Sequence, residues 1–255
     1  MKFSNFLFPE SKIPTGDFDV IDESLREAEL TESLGYDAIW LAEHHFDGGC
    51  AYVDPVTFAS AVAARTSSLK IGFAVAQMAL HHPVRFAEQI ALIDNISRGR
   101  MIVGVGRGTA YNFYEFRGYG INPSDAQEML LEVEEVLIRA WTSENFHHKG
   151  KYWNVELPLL RPQVYQKPHP PRHQVVDGIR SIEWAAQNGI KSIMWIPTVK
   201  ALKVKFEAYK NARSESEKRN VSLGEGVTLV RDMFVADSME EAKEKAGEHM
   251  VNYMK

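Results

Sequence analysis

The chain has 255 residues, 45% hydrophobic and 25% charged, which is typical of a soluble protein with a large core rather than a disordered or fibrous one. Its 29 basic and 34 acidic residues give a net charge of −5 without a long run of either sign, so neither nucleic acid nor an anionic membrane is an expected partner. Cys50 is the only cysteine, which excludes an intrachain disulfide and favours a reducing compartment. Because no apolar run is long enough for a membrane span or typical of a signal peptide, we predict a cytoplasmic protein.

Short apolar runs alternate with helical patterns along the whole chain. Strands are predicted at residues 3–8, 38–42, 71–77, 101–105, 174–176, 192–196 and 227–236. The first helix is indicated by the spacing of Leu25, Ala28, Leu30 and Leu34 before Gly35. Five later helices begin at capping signals, which are Asp54-Pro55, His82-Pro83, Ser124, Thr198 and the Ser238/Glu241 capping box. A further helix is predicted from Ser181 to Asn188, with Gly189 at its end.

Strands that alternate with helices predict an α/β fold with a parallel sheet, because parallel neighbours need a crossover that covers the sheet. A doubly wound nucleotide-binding domain would have a glycine fingerprint after its first strand, where this chain has Phe8-Pro9-Glu10. Unusual polar residues instead follow several strands, as at the rim of a TIM (β/α)8-type barrel. We therefore predict one barrel domain over residues 1–255, with the eighth unit missing or truncated. A non-barrel insertion near 142–171 should contain a hairpin turning at Lys149-Gly150.

The second predicted strand ends on Glu43, His44 and His45. Successive side chains of an extended chain point to opposite faces, so only one histidine should face the barrel mouth. An imidazole there suits proton transfer, although a histidine packed under Phe46 fits the pattern as well. With His81-His82 these residues also match metal ligands, but the first strand has none of the ligands with which metal-dependent barrel hydrolases usually begin, so we predict no metal.

Two further stretches suggest a phosphate site. Gly104 to Gly108 lacks the last glycine of the dinucleotide motif, but it leaves room for a flat ligand and presents Arg107 at a strand end. Asp177 to Ser181 lies where a strand passes into a helix, whose free N–H groups attract anions, and Asp177 is expected to cap this helix. The alternative for Arg107 is an ordinary arginine of a barrel rim in a surface ion pair.

Aromatic residues crowd the loop after the fourth strand. Tyr111, Phe113, Tyr114 and Phe116 lie there, and Trp195 follows the sixth strand in the Trp195-Ile196-Pro197 corner. Such residues are usually part of a core, but beside polar groups they indicate an apolar pocket. His147 and His148 are expected to be solvated hairpin residues.

In order and spacing, several segments resemble the bacterial luciferase-like flavin-dependent monooxygenases. These segments cover residues 41–46, 82–94, 97–100, 106–108 and 181–189, within roughly the first two hundred residues. The resemblance implies a TIM-type barrel that binds reduced FMN and uses molecular oxygen to oxidise a small apolar molecule, such as an aldehyde. It also implies a separate flavin reductase and a homodimer. An F420-dependent oxidoreductase of the same family, or a protein that holds flavin without turnover, remains an alternative.

The resemblance also assigns site residues. His44, with Glu43 beside it, corresponds to the catalytic position, and Arg107 and Gly108 correspond to the flavin phosphate contact. Asp177, Gly178 and Ser181 would complete the phosphate site, and Ala74-Val75, where a non-proline cis peptide often occurs, would lie against the flavin ring. Tyr111, Phe113 and Trp195 would line the substrate pocket. The reactive cysteine of the luciferase α subunit is replaced here by Gly106, so light emission is not implied, and Gly178 stands where that subunit has a serine.

Overall fold

Parallel strands form the centre of the molecule, because helices return the chain to the same end of the sheet before each new strand. The computed structural model describes residues 1–11, 13–195 and 198–253. The strands of the sheet are β1 (Ser4–Leu7), β2 (Ala38–Leu41), β3 (Lys70–Phe73), β4 (Ala76–Gln77), β5 (Met101–Gly106), β8 (Arg172–Val175), β9 (Lys191–Trp195) and β10 (Val227–Val230). Their order is β1-β2-β3-β5-β8-β9-β10, with the short β4 beside β5, and all of these pairs are parallel.

Helices cover the outside of this sheet. They are α1 (Asp17–Ser33), α2 (Pro55–Arg65), α3 (Pro83–Ile96), α4 (Phe113–Gly118), α5 (Ala126–Thr142), α6 (Ile179–Gln187), α7 (Val199–Glu217) and α8 (Met239–Tyr253). The result is a nearly closed α/β barrel with seven strand–helix units among the described residues, which confirms the predicted fold class. Within the same residues, β10 and β1 are not hydrogen-bonded to each other.

Several predicted boundaries are wrong. The third strand is interrupted at Ala74-Val75, which forms the non-proline cis peptide expected from the resemblance. The seventh strand ends at Val230 rather than residue 236, and residues 196 and 197 of the Trp195 corner lie outside the described residues. Ser124 does not cap α5, because its N–H is itself bound by the side chain of Asn122 in a preceding 3-10 turn. Asp54 and Thr198 do cap their helices as predicted.

The interior of the barrel is filled by side chains from alternate positions of the strands. Trp40, Ile102 and Ile193 form an inner cluster, against which Phe6 and Val75 pack. A Cβ atom on Gly72 would lie 2.5 Å from the Trp40 ring, so the glycine makes room for the indole. The larger apolar cluster lies between strands and helices and includes Leu41, Phe73 and Phe86.

The insertion forms a separate hairpin of β6 (Phe146–Lys149) and β7 (Asn154–Leu157), as predicted. His147 is exposed, but the prediction that His148 is solvated is wrong. His148 is 8% exposed and its Nε2 atom lies 3.1 Å from Oε1 of Glu132 on α5. Because strand side chains alternate, His148 shares the buried face with Phe146.

Candidate active site

The carboxyl ends of parallel strands lie at one end of a barrel, so the loops that follow them meet there. Following the sheet order, this rim carries residues from β1, β2, β3, β5, β8 and β9 in turn. They are Phe8, His44, Ala74-Val75, Arg107, Asp177-Gly178 and Trp195. Residues predicted from distant parts of the sequence therefore belong to the same end of the molecule.

His44 is held by two side chains from the loop after β5. Its Nδ1 atom lies 3.2 Å from Oε1 of Glu115 and 3.0 Å from the side-chain nitrogen of Asn112. The ring also meets Phe8 edge-on, with centroids 5.2 Å apart. The side chain is 19% exposed, and its Nε2 atom has no hydrogen-bond partner among the described residues. A proton shared between Nδ1 and Glu115 leaves Nε2 as the nitrogen that can accept a proton.

Glu115 is fully buried and binds three groups around His44. Besides Nδ1 of His44, its carboxylate accepts the backbone N–H of His45 at 2.8 Å and the amide of Gln77 at 2.8 Å. Burial alone would raise the pKa of the Glu115 carboxyl, but the hydrogen bonds from His44, Gln77 and His45 lower it. A carboxylate is therefore maintained behind the imidazole.

Glu43 is also buried, and it lies at the centre of a second set of contacts. Its carboxylate accepts the Gln77 backbone N–H at 2.5 Å, and it lies 3.0 Å from Nε2 of His45 and 2.9 Å from Nε2 of His81. Burial would raise the pKa of Glu43, but the charge of His81 and these hydrogen bonds lower it to about 2. Burial alone would lower the pKa of His81, but the negative charge of Glu43 and the contact with its carboxylate raise it. Glu43 thus binds protein groups on every side.

Of the two adjacent histidines, one is partly open and the other is packed, as the alternation predicted. His45 is 4% exposed, and its ring lies 5.0 Å from Tyr119 and 5.7 Å from Phe46. The loops after β2 and β5 are joined further along by a hydrogen bond from the Tyr114 hydroxyl to Asp47. These contacts fix both loops that carry His44 and its partners.

Arg107 follows β5 directly and its side chain is exposed. Its one contact among the described residues is from Nε to the Gly108 carbonyl at 3.5 Å, so the guanidinium is not in an ion pair there. Gly108 has φ +88°, and a Cβ on it would lie 2.3 Å from Oε1 of Gln77. Gly108 therefore lets the chain turn directly over Gln77 and present Arg107 outward.

The two glycines of β5 do not leave the predicted room for a flat ligand. A Cβ on Gly104 would lie 1.7 Å from the Phe73 carbonyl oxygen, and one on Gly106 would lie 2.5 Å from Cγ2 of Val75. The space beside these glycines is occupied by the interruption between β3 and β4. Their role is to accommodate Ala74-Val75, which both belong to the layer inside the barrel.

The start of α6 is the second feature predicted for a phosphate. Gly178 is the N-cap and no side chain in the described part of the chain caps the helix, so the prediction that Asp177 caps it is wrong. Asp177 instead forms an ion pair with Lys205 of α7, which offsets its negative charge. The Ser181 hydroxyl donates to the Gly178 carbonyl at 2.7 Å. A Cβ atom built on Gly178 would have one neighbour within 4 Å among the described residues, which is Oγ of Ser181 at 3.8 Å. The backbone at this helix start is therefore open.

The aromatic residues predicted for the pocket differ in their surroundings. Tyr111 is 88% exposed, and Phe113 is 45% exposed beneath the guanidinium of Arg117, 4.7 Å from its ring centre. Trp195 is 44% exposed and meets Phe6 of β1 edge-on at 6.2 Å. Trp195 therefore lies on the inner side of the barrel rim.

Five residues of the site were not predicted from the sequence. Phe6 and Phe8 follow from the alternation along β1, which could have placed both on the inner face. A glutamate within an aromatic run is a weak signal for Glu115, and nothing marks Gln77 or Asn112 locally. In the described part of the chain, no three His, Cys, Asp or Glu side chains are grouped to hold a metal ion. Nor does that part contain a helix with the length and apolar character of a membrane span.

Comparison with known proteins shows the family to which the chain belongs. The family model for luciferase-like monooxygenases matches residues 1–255. The chain belongs to the luciferase-like monooxygenase family. Among curated relatives, the alkanal monooxygenase alpha chain of Photorhabdus luminescens is 30% identical over 220 residues, covering 84% of this chain and 59% of that protein. The oxygenase component of the flavin-dependent trigonelline monooxygenase of Acinetobacter baylyi is 28% identical over 233 residues, covering 91% and 64%.

Several solved structures have the same fold as this chain. Monooxygenase RslO1 from Streptomyces bottropensis gives a TM-score of 0.89 at 28% identity and covers 98% of this chain and 77% of its own. The oxygenating constituent of 3,6-diketocamphane monooxygenase from Pseudomonas putida, in complex with FMN, gives 0.86 at 22% identity and covers 99% and 72%. The F420-dependent tetrahydromethanopterin reductase of Methanopyrus kandleri gives 0.74 at 19% identity and covers 99% and 72%.

Proposed function

We propose that this chain is an FMN-dependent monooxygenase that uses molecular oxygen to oxidise a small apolar organic molecule. The observation that supports it best is the common rim, on which His44, backed by the buried Glu115, belongs to the same barrel end as the free guanidinium of Arg107. A protein with this fold has been solved in complex with FMN.

The residues at the rim fit a flavin phosphate. Arg107 can donate two hydrogen bonds to phosphate oxygens, and the first N–H groups of α6 are open beside Gly178. The acidic charge of Asp177 is offset by Lys205, which reduces its repulsion of a phosphate. Ala74 and Val75 provide an apolar surface between His44 and Arg107 in the order of the rim. We assign Arg107, Gly108, Asp177, Gly178 and Ser181 to the phosphate end and Ala74-Val75 to the ring.

Reduced FMN, when bound, would supply the electrons with which oxygen is activated. His44 is proposed to accept or return a proton through Nε2, while Glu115 holds the proton on Nδ1 and fixes the ring. Glu43, for which the sequence predicted a catalytic role, is proposed to act as a positioning residue. Its carboxylate is surrounded by His45, His81 and the Gln77 backbone, and from there it fixes the loop that carries His44.

The use of F420 is the second candidate, because a structural relative depends on that cofactor and the phosphate end alone does not distinguish the two flavins. A flavin-binding protein without turnover is the third. If the chain holds flavin without turnover, His44→Ala will change neither the flavin affinity nor any measured oxidation.

A separate reductase is proposed because one relative is the oxygenase component of its system. A homodimer and a cytoplasmic location remain proposals, which sedimentation and cell fractionation test.

The decisive experiment is an anaerobic titration of the purified protein with photoreduced FMN and with reduced F420, followed by mixing with oxygenated buffer. We expect saturable binding of reduced FMN, weaker binding of F420, and oxygenation of an added aldehyde or ketone only with FMN. Tighter binding of F420, with no oxygen consumption, would replace the monooxygenase proposal by the F420 alternative. Binding of neither cofactor would refute both.

A further inference from the structure

Three aromatic side chains form a continuous surface at the barrel rim, which we call the aromatic wall: Phe6, Phe8 and Trp195. The rings of Phe6 and Phe8 stack with centroids 5.9 Å apart and planes inclined by 14°. Trp195 meets Phe6 edge-on at 6.2 Å, although β9 and β1 are not paired strands. The wall therefore spans the side of the barrel where, among the described residues, β10 and β1 are not hydrogen-bonded.

His44 lies at one end of the aromatic wall. Phe8 contacts the His44 ring at 5.2 Å, so the aromatic contacts run from Trp195 through Phe6 and Phe8 to the imidazole. In the order of the rim, the residues proposed for the flavin follow on the other side of His44, on β3, β5 and β8. The site thus has an aromatic half and a phosphate-binding half, which meet at His44 on one side and at the paired strands β8 and β9 on the other.

The wall offers apolar surface that the protein does not cover completely. Trp195 is 44% exposed, and Phe6 and Phe8 are both half-buried. Val230, which is paired in register with Trp195, packs into the same inner layer as Phe6. None of these four side chains is charged, and aromatic faces bind apolar rings by offset or edge-on contact.

We infer that the aromatic wall selects the substrate, binding an uncharged molecule with an apolar ring system so that its oxidisable group lies beside His44. This inference rests on the proposed function in calling the bound molecule a substrate. The existence of the binding site does not depend on that function. Phe6, Phe8 and Trp195 are specificity-determining residues in this view. Straight-chain aldehydes would use only part of the wall and should bind less tightly than ring compounds of similar size.

The test uses prodan, an uncharged naphthyl ketone whose fluorescence reports an apolar environment. Its dissociation constant is measured for the full chain and for Phe6→Leu, Phe8→Leu and Trp195→Leu. Leucine keeps an apolar side chain but removes the aromatic face, so each variant should weaken binding roughly three- to tenfold. Phe18→Leu, at a 79% exposed position on α1, is the matched control and should bind prodan like the parent protein.

Displacement then compares 2-acetylnaphthalene with decanal, and 2-acetylnaphthalene is expected to displace prodan at the lower concentration. Failure of the parent protein to bind prodan, equal binding by all three wall variants, or stronger displacement by decanal would each overturn the inference. Circular dichroism identifies any variant that fails to fold, and the remaining variants carry the test.

FMN titration is performed in parallel. Prodan binding without FMN or F420 binding would refute the proposed function alone, whereas flavin binding with unaltered prodan binding in the variants would refute the wall alone.

Discussion

His44 and Glu115 are 71 positions apart in the sequence, yet Nδ1 of the histidine lies 3.2 Å from a carboxylate oxygen that is completely buried. This pair joins the loop after β2 to the loop after β5. It leaves Nε2 as the only ring nitrogen without a partner among the described residues. The orientation of the proposed proton-transfer group therefore depends on a residue contributed by another strand–helix unit.

Glu115→Gln should lower kcat while leaving FMN affinity nearly unchanged, because the amide keeps the shape of the side chain but loses the charge that holds the Nδ1 proton. We expect a loss of roughly tenfold to a hundredfold, and about a hundredfold or more for His44→Ala. Steady-state oxygenation with a reductase measures kcat, and anaerobic titration measures reduced-FMN binding. Glu183→Gln, an exposed substitution on α6, is the control. Equal kcat values for Glu115→Gln and the parent protein would contradict the positioning role.

Arg107→Gln should weaken binding of FMN without weakening binding of riboflavin, since only FMN carries the phosphate assigned to this guanidinium. A charge-assisted hydrogen bond contributes about 1.5–3 kcal/mol, so a loss of roughly tenfold to a hundredfold is expected. Fluorescence titration with each oxidised flavin gives both affinities. Arg117→Gln removes a nearby arginine that covers Phe113 and should not alter the ratio. Parallel losses for both flavins would place Arg107 away from the phosphate.

We predict that the free energy of unfolding depends on pH through Glu134 of α5, which lies outside the proposed active site. Burial raises the pKa of Glu134 to about 7, although Arg172 at 3.7 Å opposes the shift, and neither carboxyl oxygen has a hydrogen-bond partner among the described residues. The folded state thus binds a proton that the unfolded chain releases near pH 4.5. Between those two pH values the Glu134 contribution to stability decreases as pH rises, and it is constant above about pH 7.

Glu134→Gln should remove this decrease, because glutamine cannot ionise. The free energy of unfolding of the variant, relative to the parent protein, should rise by about 3 kcal/mol between pH 4.5 and pH 8. Urea unfolding at both pH values measures this difference. The exposed Glu144→Gln should show no such change. An unchanged difference between the two pH values would mean that the Glu134 carboxyl has the same pKa in the folded and unfolded chains.

Gly104→Ala should destabilise the barrel, because its Cβ would lie 1.7 Å from the Phe73 carbonyl oxygen, a backbone atom that cannot rotate away. Forcing extra volume into a packed core costs about 1–3 kcal/mol or more. Gly247→Ala is the matched substitution in α8, where nothing lies within 4 Å of the new atom, and it should stabilise by about 0.5–1 kcal/mol. Thermal or urea unfolding separates the two. Equal stability of Gly104→Ala and the parent protein would show that β3 and β5 can move apart.

The local pattern of residues was sufficient to predict the barrel, because alternation of apolar strands with helices depends on near neighbours in the chain. It also predicted Asp54 and Thr198 as caps and that His44 and His45 would differ in exposure, since capping and strand alternation are local properties. It could not predict Glu115, Gln77 or the contact of Phe6 with Trp195, because these side chains approach only after the sheet curves and brings separate units together. For the same reason the sequence alone suggested Asp177 as a cap and His148 as solvated. Burial and the choice of partner are decided by tertiary packing, which pairs Asp177 with Lys205 and His148 with Glu132. The same packing surrounds Glu43 with Gln77, His45 and His81.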